Sequence, residues 1–393
     1  MRKYWFYFAS DWQRMLVFGM AIIAVIFLLT FHLGNLTKGA HTSEVQFSQR
    51  SPSVRSIVQD PVNMPYIVVR NVVRKASPQI TTTTARLPSS VFGFVLVVCF
   101  YALLSLWYRP RVAILGTILF ATSSWFLRSS RLATPEVMSS LSITLVLFWA
   151  WLQRTRHPRL AFTISCLAVV GLLYVPGMIW FIAVAGVWRG KQLIADLSKL
   201  PTNVVIVMGI ISTILLIPFF YSIFITPSLI LNVLGFGNDW SLKTIWEQLS
   251  HIPAYLFIRG PADALVTVGK AALLDIFTIT MVLLGLYATF KSWRLDRNKV
   301  TLALLISGLI LCAIGDLKTM TSLLVPIYLL AAAGIAFMLE EWLRVFPRNP
   351  LARGIATTLL SLAVLLAGFY HITNYFIAWP NAPLTKSTFS KHL

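Results

Sequence analysis

Charge is what this chain has least of. Of its 393 residues only 12% are Asp, Glu, Lys or Arg, against about a quarter in an ordinary soluble domain. Acidic residues are scarcest, 13 in all, while 57% of the chain is apolar. That balance excludes a soluble globular domain, a disordered chain and a fibrous repeat. Cysteine is nearly absent too. Cys99, Cys166 and Cys312 all sit in apolar segments. An odd count with no pair in a loop excludes a disulfide framework or a zinc site and fits small buried hydrophobes. The chain also lacks a Walker loop, a Rossmann glycine fingerprint, a Cys/His cluster and a local Ser–His–Asp signature. No internal repeat or low-complexity tract is evident.

What is present is a series of long apolar runs from end to end, so the sequence predicts an all-α polytopic membrane protein. Nearly all of residues 1–393 form one integral membrane domain. The net charge of +20 then reads as orientation and contact with membrane lipid, not as nucleic-acid binding. The first run, Met15 to Leu33, follows Arg2, Lys3 and Arg14 and reads as an uncleaved anchor. Further spans are expected at Val91–Tyr108, Val112–Leu127, Val137–Gln153, Val204–Phe224, Ala271–Phe290, Val300–Ile314, Thr321–Met338 and Ile355–Tyr370.

Leu160–Trp188 could cross once or twice. As one helix it would be roughly 43 Å long, against a hydrocarbon core of about 30 Å. Two helices broken at Tyr174-Val175-Pro176-Gly177 are the alternative. Two crossings put the basic loops around Arg189, Lys291 and Arg344 inside; one crossing puts them all outside. The charge pattern selects two, which makes about eleven transmembrane helices. The N-terminus is then cytoplasmic and the C-terminus extracytoplasmic, in the plasma membrane.

Two long segments face outward, residues 34–90 and 225–270. Loops of that length usually function. Both contain helix-like patterns, Val54–Val73 and Leu242–Ile258, expected to lie along the membrane surface. Chemistry-bearing residues concentrate at this face. Glu44 follows the first span in His41-Thr42-Ser43-Glu44 and could act as a base; a solvated loop glutamate is the other reading. His41 is the weaker candidate, and Asp60 is the next carboxylate along the loop. Arg128-Ser129-Ser130-Arg131 could grip a phosphate with two guanidinium forks. Snorkelling arginines are the alternative there. In Thr134-Pro135-Glu136 the residues read as a helix cap, with Glu136 able to orient an arginine. Arg86 stands where the first loop re-enters the membrane. Arg259 and Asp263 belong to the second loop. Asp275 falls inside an expected span.

These features resemble the GT-C fold transferases that use lipid-linked sugars, most closely the glycosyltransferase family 39-like group of protein O-mannosyltransferases and aminoarabinose transferases. The likeness rests on Ser43-Glu44, on Arg86-Leu87-Pro88-Ser89-Ser90-Val91-Phe92-Gly93 and on Ser130-Arg131-Leu132-Ala133-Thr134-Pro135-Glu136. The break at Tyr174–Gly177 and the late span from Leu324-Val325-Pro326 add to it. The likeness is strongest over residues 1–190.

The resemblance implies a membrane glycosyltransferase of the cell envelope. It would move a hexosyl group from a polyprenyl-phosphate sugar to a protein, lipid or glycan acceptor, by inverting displacement on the extracytoplasmic face. It implies Glu44 as catalytic base and Arg86, Arg131 and Arg128 as donor-phosphate ligands, with Glu136, His41, Asp60 and Arg259 in support. In that group an aspartate–glutamate pair follows the first span; here Ser43 replaces the aspartate. No metal ligand is assigned, although some GT-C enzymes use a divalent cation such as Mg²⁺ or Mn²⁺. The family's late arginine–tyrosine motif is not evident, and Lys318 is the cation nearest its place. The alternatives are a non-catalytic GT-C relative and a transporter or flippase of lipid-linked saccharide.

Overall fold

A computed structural model describes residues 11–50, 53, 58–77, 79–153, 155, 157–237 and 241–391. Among these residues the fold is helical throughout, with a single isolated antiparallel bridge between Ala40 and Lys391. Among the described residues six helices are long and apolar enough to cross a bilayer: Thr82–Trp107, Pro135–Leu152, Thr202–Ile225, Asp296–Ile314, Leu317–Val345 and Pro350–Asn381. A seventh crossing is available if Pro110–Thr122 and Ser124–Arg131, bent by 60°, act as one span. Four shorter apolar helices, Met15–Thr30, Pro158–Leu173, Met178–Trp188 and Ile276–Lys291, account for the remaining apolar runs.

The Leu317–Val345 segment forms the centre, with 89% of its most apolar window buried, whereas that of Thr202–Ile225 is only 11% buried. Glycine permits the tightest crossing. A Cβ on Gly285 would sit 1.8 Å from the Leu330 carbonyl, and one on Gly334 would sit 2.0 Å from the Met281 carbonyl. Helices Ile276–Lys291 and Leu324–Val345 therefore approach backbone to backbone, as small residues allow inside membranes. Phe224, Ile276 and Val187, each more than four-fifths exposed, belong to faces that lipid would cover.

The break expected at Tyr174–Gly177 is present, with Gly177 at φ 74° in the left-handed region that glycine enters without strain. Other boundaries differ from expectation. The span expected from Val91 starts at Thr82, so Arg86 lies inside its helix. The run Val112–Leu127 is not straight: Ser123 ends one helix in an extended conformation and caps the next, its hydroxyl accepting from Phe126 N. The span expected at Ala271 starts at Ile276. Asp275 is its N-cap, not an interior residue, and accepts from Phe277 N and Thr278 N. In the first loop, a helix at Thr42–Gln49 went unforeseen, and the expected Val54–Val73 pattern becomes Met64–Ala76. Residues 54–57 and Asp239 lie outside the described residues. Leu242–Phe257 forms as expected.

Candidate active site

The site grows from a two-turn helix. His41 caps Thr42–Gln49: its Nδ1 accepts from Ser43 N at 3.1 Å, while His41 N donates to Glu44 Oε2 at 3.0 Å. This reciprocal arrangement is a capping box with histidine in the usual serine place. Nδ1 also meets Ser43 Oγ at 2.8 Å. A ring nitrogen accepting from a backbone amide carries no proton, so the neutral ring is protonated at Nε2 and offers a donor there.

Glu44 is wholly buried, and so is the guanidinium it meets. Arg86 Nε donates to Oε1 at 2.8 Å and Nη2 to Oε2 at 2.9 Å, a bidentate fork. Ala133 N donates to Oε1 at 2.8 Å. With the His41 amide, each carboxylate oxygen thus accepts two donors. Burial pushes the Glu44 carboxyl up, but the Arg86 fork and the two amides outweigh it and hold it below the ordinary glutamate value. Arg86 is equally occupied, its Nη1 donating to Leu33 O at 3.0 Å and its Nη2 also to Thr37 Oγ1 at 3.1 Å.

The sequence motifs after the first span, at Arg86 and at 130–136 therefore meet in space. The 132–134 turn is pinned as well by Ser89 Oγ, which donates to Leu132 O and lies 2.8 Å from the Tyr66 hydroxyl. The roles differ from those expected. Glu44 has no lone-pair direction left for an acceptor's proton, and Arg86 has no free fork for a phosphate. Their ion pair fastens the first loop to the Thr82–Trp107 helix.

The other two arginines also turn inward. Arg131, 1% exposed, donates through Nη1 to Leu28 O and through Nη2 to Phe31 O. It thereby satisfies carbonyls at the end of the first helix. Its guanidinium lies over Tyr375 and Phe376, 5.2 and 4.7 Å from the ring centroids. Arg128, 3% exposed, points Nη2 at Ser124 Oγ (3.4 Å). That hydroxyl lies 3.3 Å from His371 Nδ1, whose Nε2 meets Asp275 Oδ1 at 2.9 Å. This buried chain joins three helices; Arg128 Nε and Nη1 make no hydrogen bond. Neither arginine presents its fork at the surface as the phosphate reading requires.

Asp60 is removed from the site: it pairs with Arg50 at 2.8 Å and is 46% exposed, closing the first loop on itself. Arg259 is exposed and forms no ion pair among the described residues. Glu136 is different. It is partly exposed in the 3-10 turn Pro135–Leu141, and its carboxylate accepts no hydrogen bond among the described residues. Its electrostatic neighbours are Lys318, Asp263 and Glu44. His41 shares these three and adds Lys391. Burial holds the His41 ring below the usual histidine value; Asp263 and Glu44 raise it, and Lys318 and Lys391 lower it.

One cluster thus draws His41 from the first loop, Glu136 from the Pro135–Leu141 turn, Asp263 from the second loop and Lys318 from the start of the late span. Sequence reading left Asp263 and Lys318 outside the core of the site, although each stands where an apolar run begins. The closing segment went wholly unforeseen. Ala40 and Lys391 exchange backbone hydrogen bonds of 2.8 and 3.3 Å. The Phe389 ring packs 5.5 Å from His41 and 5.2 Å from Trp379, whose indole N–H donates to Ala264 O at 2.7 Å. Among the described residues no group of three or more His, Cys, Asp or Glu is placed to hold a metal ion.

Comparison with solved structures places the fold. ArnT from Cupriavidus metallidurans in the apo state superposes with a TM-score of 0.59 at 14% identity, over 97% of this chain and 78% of ArnT. The same protein bound to undecaprenyl phosphate gives 0.60 at 13%, over 96% and 78%. The fold is GT-C. A third GT-C structure, the archaeal oligosaccharyltransferase AglB from Archaeoglobus fulgidus with an inhibitory peptide and a dolichol-phosphate, gives 0.55 at 10%, over 98% of this chain and 57% of AglB. No protein-family model and no curated protein sequence matches the chain. With its apolar helices, the GT-C architecture makes it an integral membrane protein.

Proposed function

We propose that this GT-C protein transfers a sugar from a polyprenyl-phosphate donor, with Glu136 as the base. The observation that carries the reading is the contrast in one cluster between a carboxylate with every lone pair occupied and one with none occupied. Glu136 is free to accept a proton, and Lys318 beside it supplies a cation. In the proposed step an acceptor hydroxyl or amine attacks the anomeric carbon. Its proton passes to Glu136, the anomeric C–O bond breaks, and the polyprenyl phosphate leaves with the bonding pair. Lys318 and the His41 Nε2–H stabilise the departing phosphate. Glu44 and Arg86 act as positioning residues that hold His41 and the Ala133–Glu136 turn. The structures of ArnT bound to undecaprenyl phosphate and of AglB in complex with a dolichol-phosphate support a lipid-phosphate donor.

The reading includes the finer topology: eleven crossings, the N-terminus cytoplasmic and the cluster extracytoplasmic. Single cysteines at Ser241 and Ser292 in a Cys-free background test it. An impermeant thiol reagent should label the first in intact cells and not the second; the reverse would overturn the orientation. The activity is tested by incubating purified protein with a panel of radiolabelled polyprenyl-phosphate sugars, with and without Mg²⁺ or Mn²⁺. Transfer or donor hydrolysis with any of them supports the reading. A second reading, a non-catalytic relative, draws on Ser43, whose hydroxyl lies against His41 where the family carries a carboxylate. It predicts binding of the donor without turnover.

A further inference from the structure

The segment after the last span ties the two outer loops together. Trp379 is wholly buried and donates its indole N–H to Ala264 O in the second loop, one residue beyond Asp263. Its ring stacks on Tyr375 at 5.3 Å and meets Phe389 edge-on at 5.2 Å. The short helix Pro383–Thr388 lies between, with Thr385 and Phe389 buried. Phe389 packs against the His41 ring, and two residues later Lys391 exchanges its backbone hydrogen bonds with Ala40. Gly39 permits that pairing. A Cβ there would stand 2.5 Å from Lys391 O and 3.1 Å from Lys391 N, and a backbone cannot step aside as a side chain can. Residues 379–391 are therefore a wall beside His41, fixed at one end by a buried aromatic stack and at the other by the backbone of the first loop.

Lys391 stands on this wall. Its side chain is exposed and forms no ion pair among the described residues. Two ammonium groups, those of Lys318 and Lys391, act on the His41 ring. The charge balance gives the second one a purpose. Arg86 neutralises Glu44, which leaves Glu136 and Asp263 as the carboxylates of the cluster. With Glu136 ionised, as a base must be, Lys318 alone faces two negative charges, and such a site repels a phosphate. Lys391 removes that excess.

We propose that Lys391 is a donor-binding residue, its ammonium on the phosphate of the polyprenyl-phosphate donor, and that the pairing of Lys391 with Ala40 across Gly39 holds it there. The assignment rests on the transferase reading and adds to it a cation from the far end of the sequence.

The test is binding of undecaprenyl phosphate by the full chain in neutral detergent, with Cys99, Cys166 and Cys312 replaced. Lys391→Cys should bind it at least about tenfold more weakly than this parent, the worth of a lost charged hydrogen bond. Modification with 2-aminoethyl methanethiosulfonate puts an ammonium back at nearly the length of lysine and should restore most of the binding. Methyl methanethiosulfonate, which adds no charge, should not. Gly39→Ala alters no charge and should weaken binding by pushing the segment off Ala40. Unchanged binding by Lys391→Cys, or a loss that the ammonium reverses no better than the methyl group, would overturn the assignment and leave the transferase reading standing. Undiminished binding by Gly39→Ala would overturn the part given to the pairing. Failure of the parent itself to bind undecaprenyl phosphate would overturn the transferase reading and this assignment with it.

Discussion

Glu44 and Glu136 are near neighbours with opposite surroundings. Glu44 is fully buried and accepts four hydrogen bonds, one of them from the amide of Ala133. Glu136, three residues beyond that amide, is partly exposed and accepts none among the described residues. A carboxylate with every lone pair occupied is a fastening: moving a proton to it means first breaking a charge-assisted bond. A carboxylate with free lone pairs beside a lysine can do chemistry. The likeness of the Ser43-Glu44 motif to an acidic hallmark pointed to the first glutamate; the hydrogen bonds favour the second.

The comparison breaks most sharply at Glu44. Glu44→Gln keeps the shape but strips Arg86 of its counter-charge, and uncompensated buried charges of this kind cost about 3–5 kcal/mol. Chemical denaturation in detergent should show that loss, while Glu136→Gln should stay within about 1 kcal/mol of wild type because no partner is orphaned. Equal stability of the two variants would erase the distinction. A smaller loss is expected at the buried chain, where Asp275→Asn weakens a charged hydrogen bond to His371. About 1.5–3 kcal/mol should go there, with no change in donor binding if the chain only joins helices.

Acid should act through Glu44 as well. Its carboxyl is held below the ordinary glutamate value, so its stabilisation is complete above that value and is lost as pH falls through the depressed one. His41, also depressed, begins to contribute in the same direction below the usual histidine value, where the unfolded state takes up the proton first. Thermal stability should therefore fall in two stages, first below the usual histidine value through His41 and again below the ordinary glutamate value through Glu44, and Glu44→Gln should remove the second stage. The smallest effect belongs to Asp60. Its pair with Arg50 is half exposed, so Asp60→Asn should change stability by no more than about 1 kcal/mol. A larger loss would mean that the loop closure it makes supports the cluster.

Much of the architecture was legible because apolar runs and basic loops are local signals. The break at Tyr174–Gly177 could be read from Pro176 and Gly177. Other features were hidden by their chemistry. Asp275 sits between apolar stretches and looks interior to a span until its side chain is seen capping Ile276–Lys291. The bend at Ser123 replaces one straight helix by two without any Gly or Pro to announce it. The helix at Thr42–Gln49 is capped by histidine, which the usual cap residues do not suggest. For the site, the sequence supplied the residues but not their pairing. Glu44 meets Arg86 across 42 positions, and Ala40 meets Lys391 across nearly the whole chain. Hydropathy carries no record of such pairs.

Glu136 as the base is tested most directly by single-turnover sugar transfer by Glu136→Gln beside its donor affinity, in protein shown to be folded. With a donor that the wild type uses, transfer should fall by about 10²–10⁴-fold, the usual worth of a positioned base, while donor affinity stays within about threefold. Transfer at the wild-type rate by Glu136→Gln would contradict the account, and loss of transfer in a folded Glu44→Gln protein alone would return the base to Glu44.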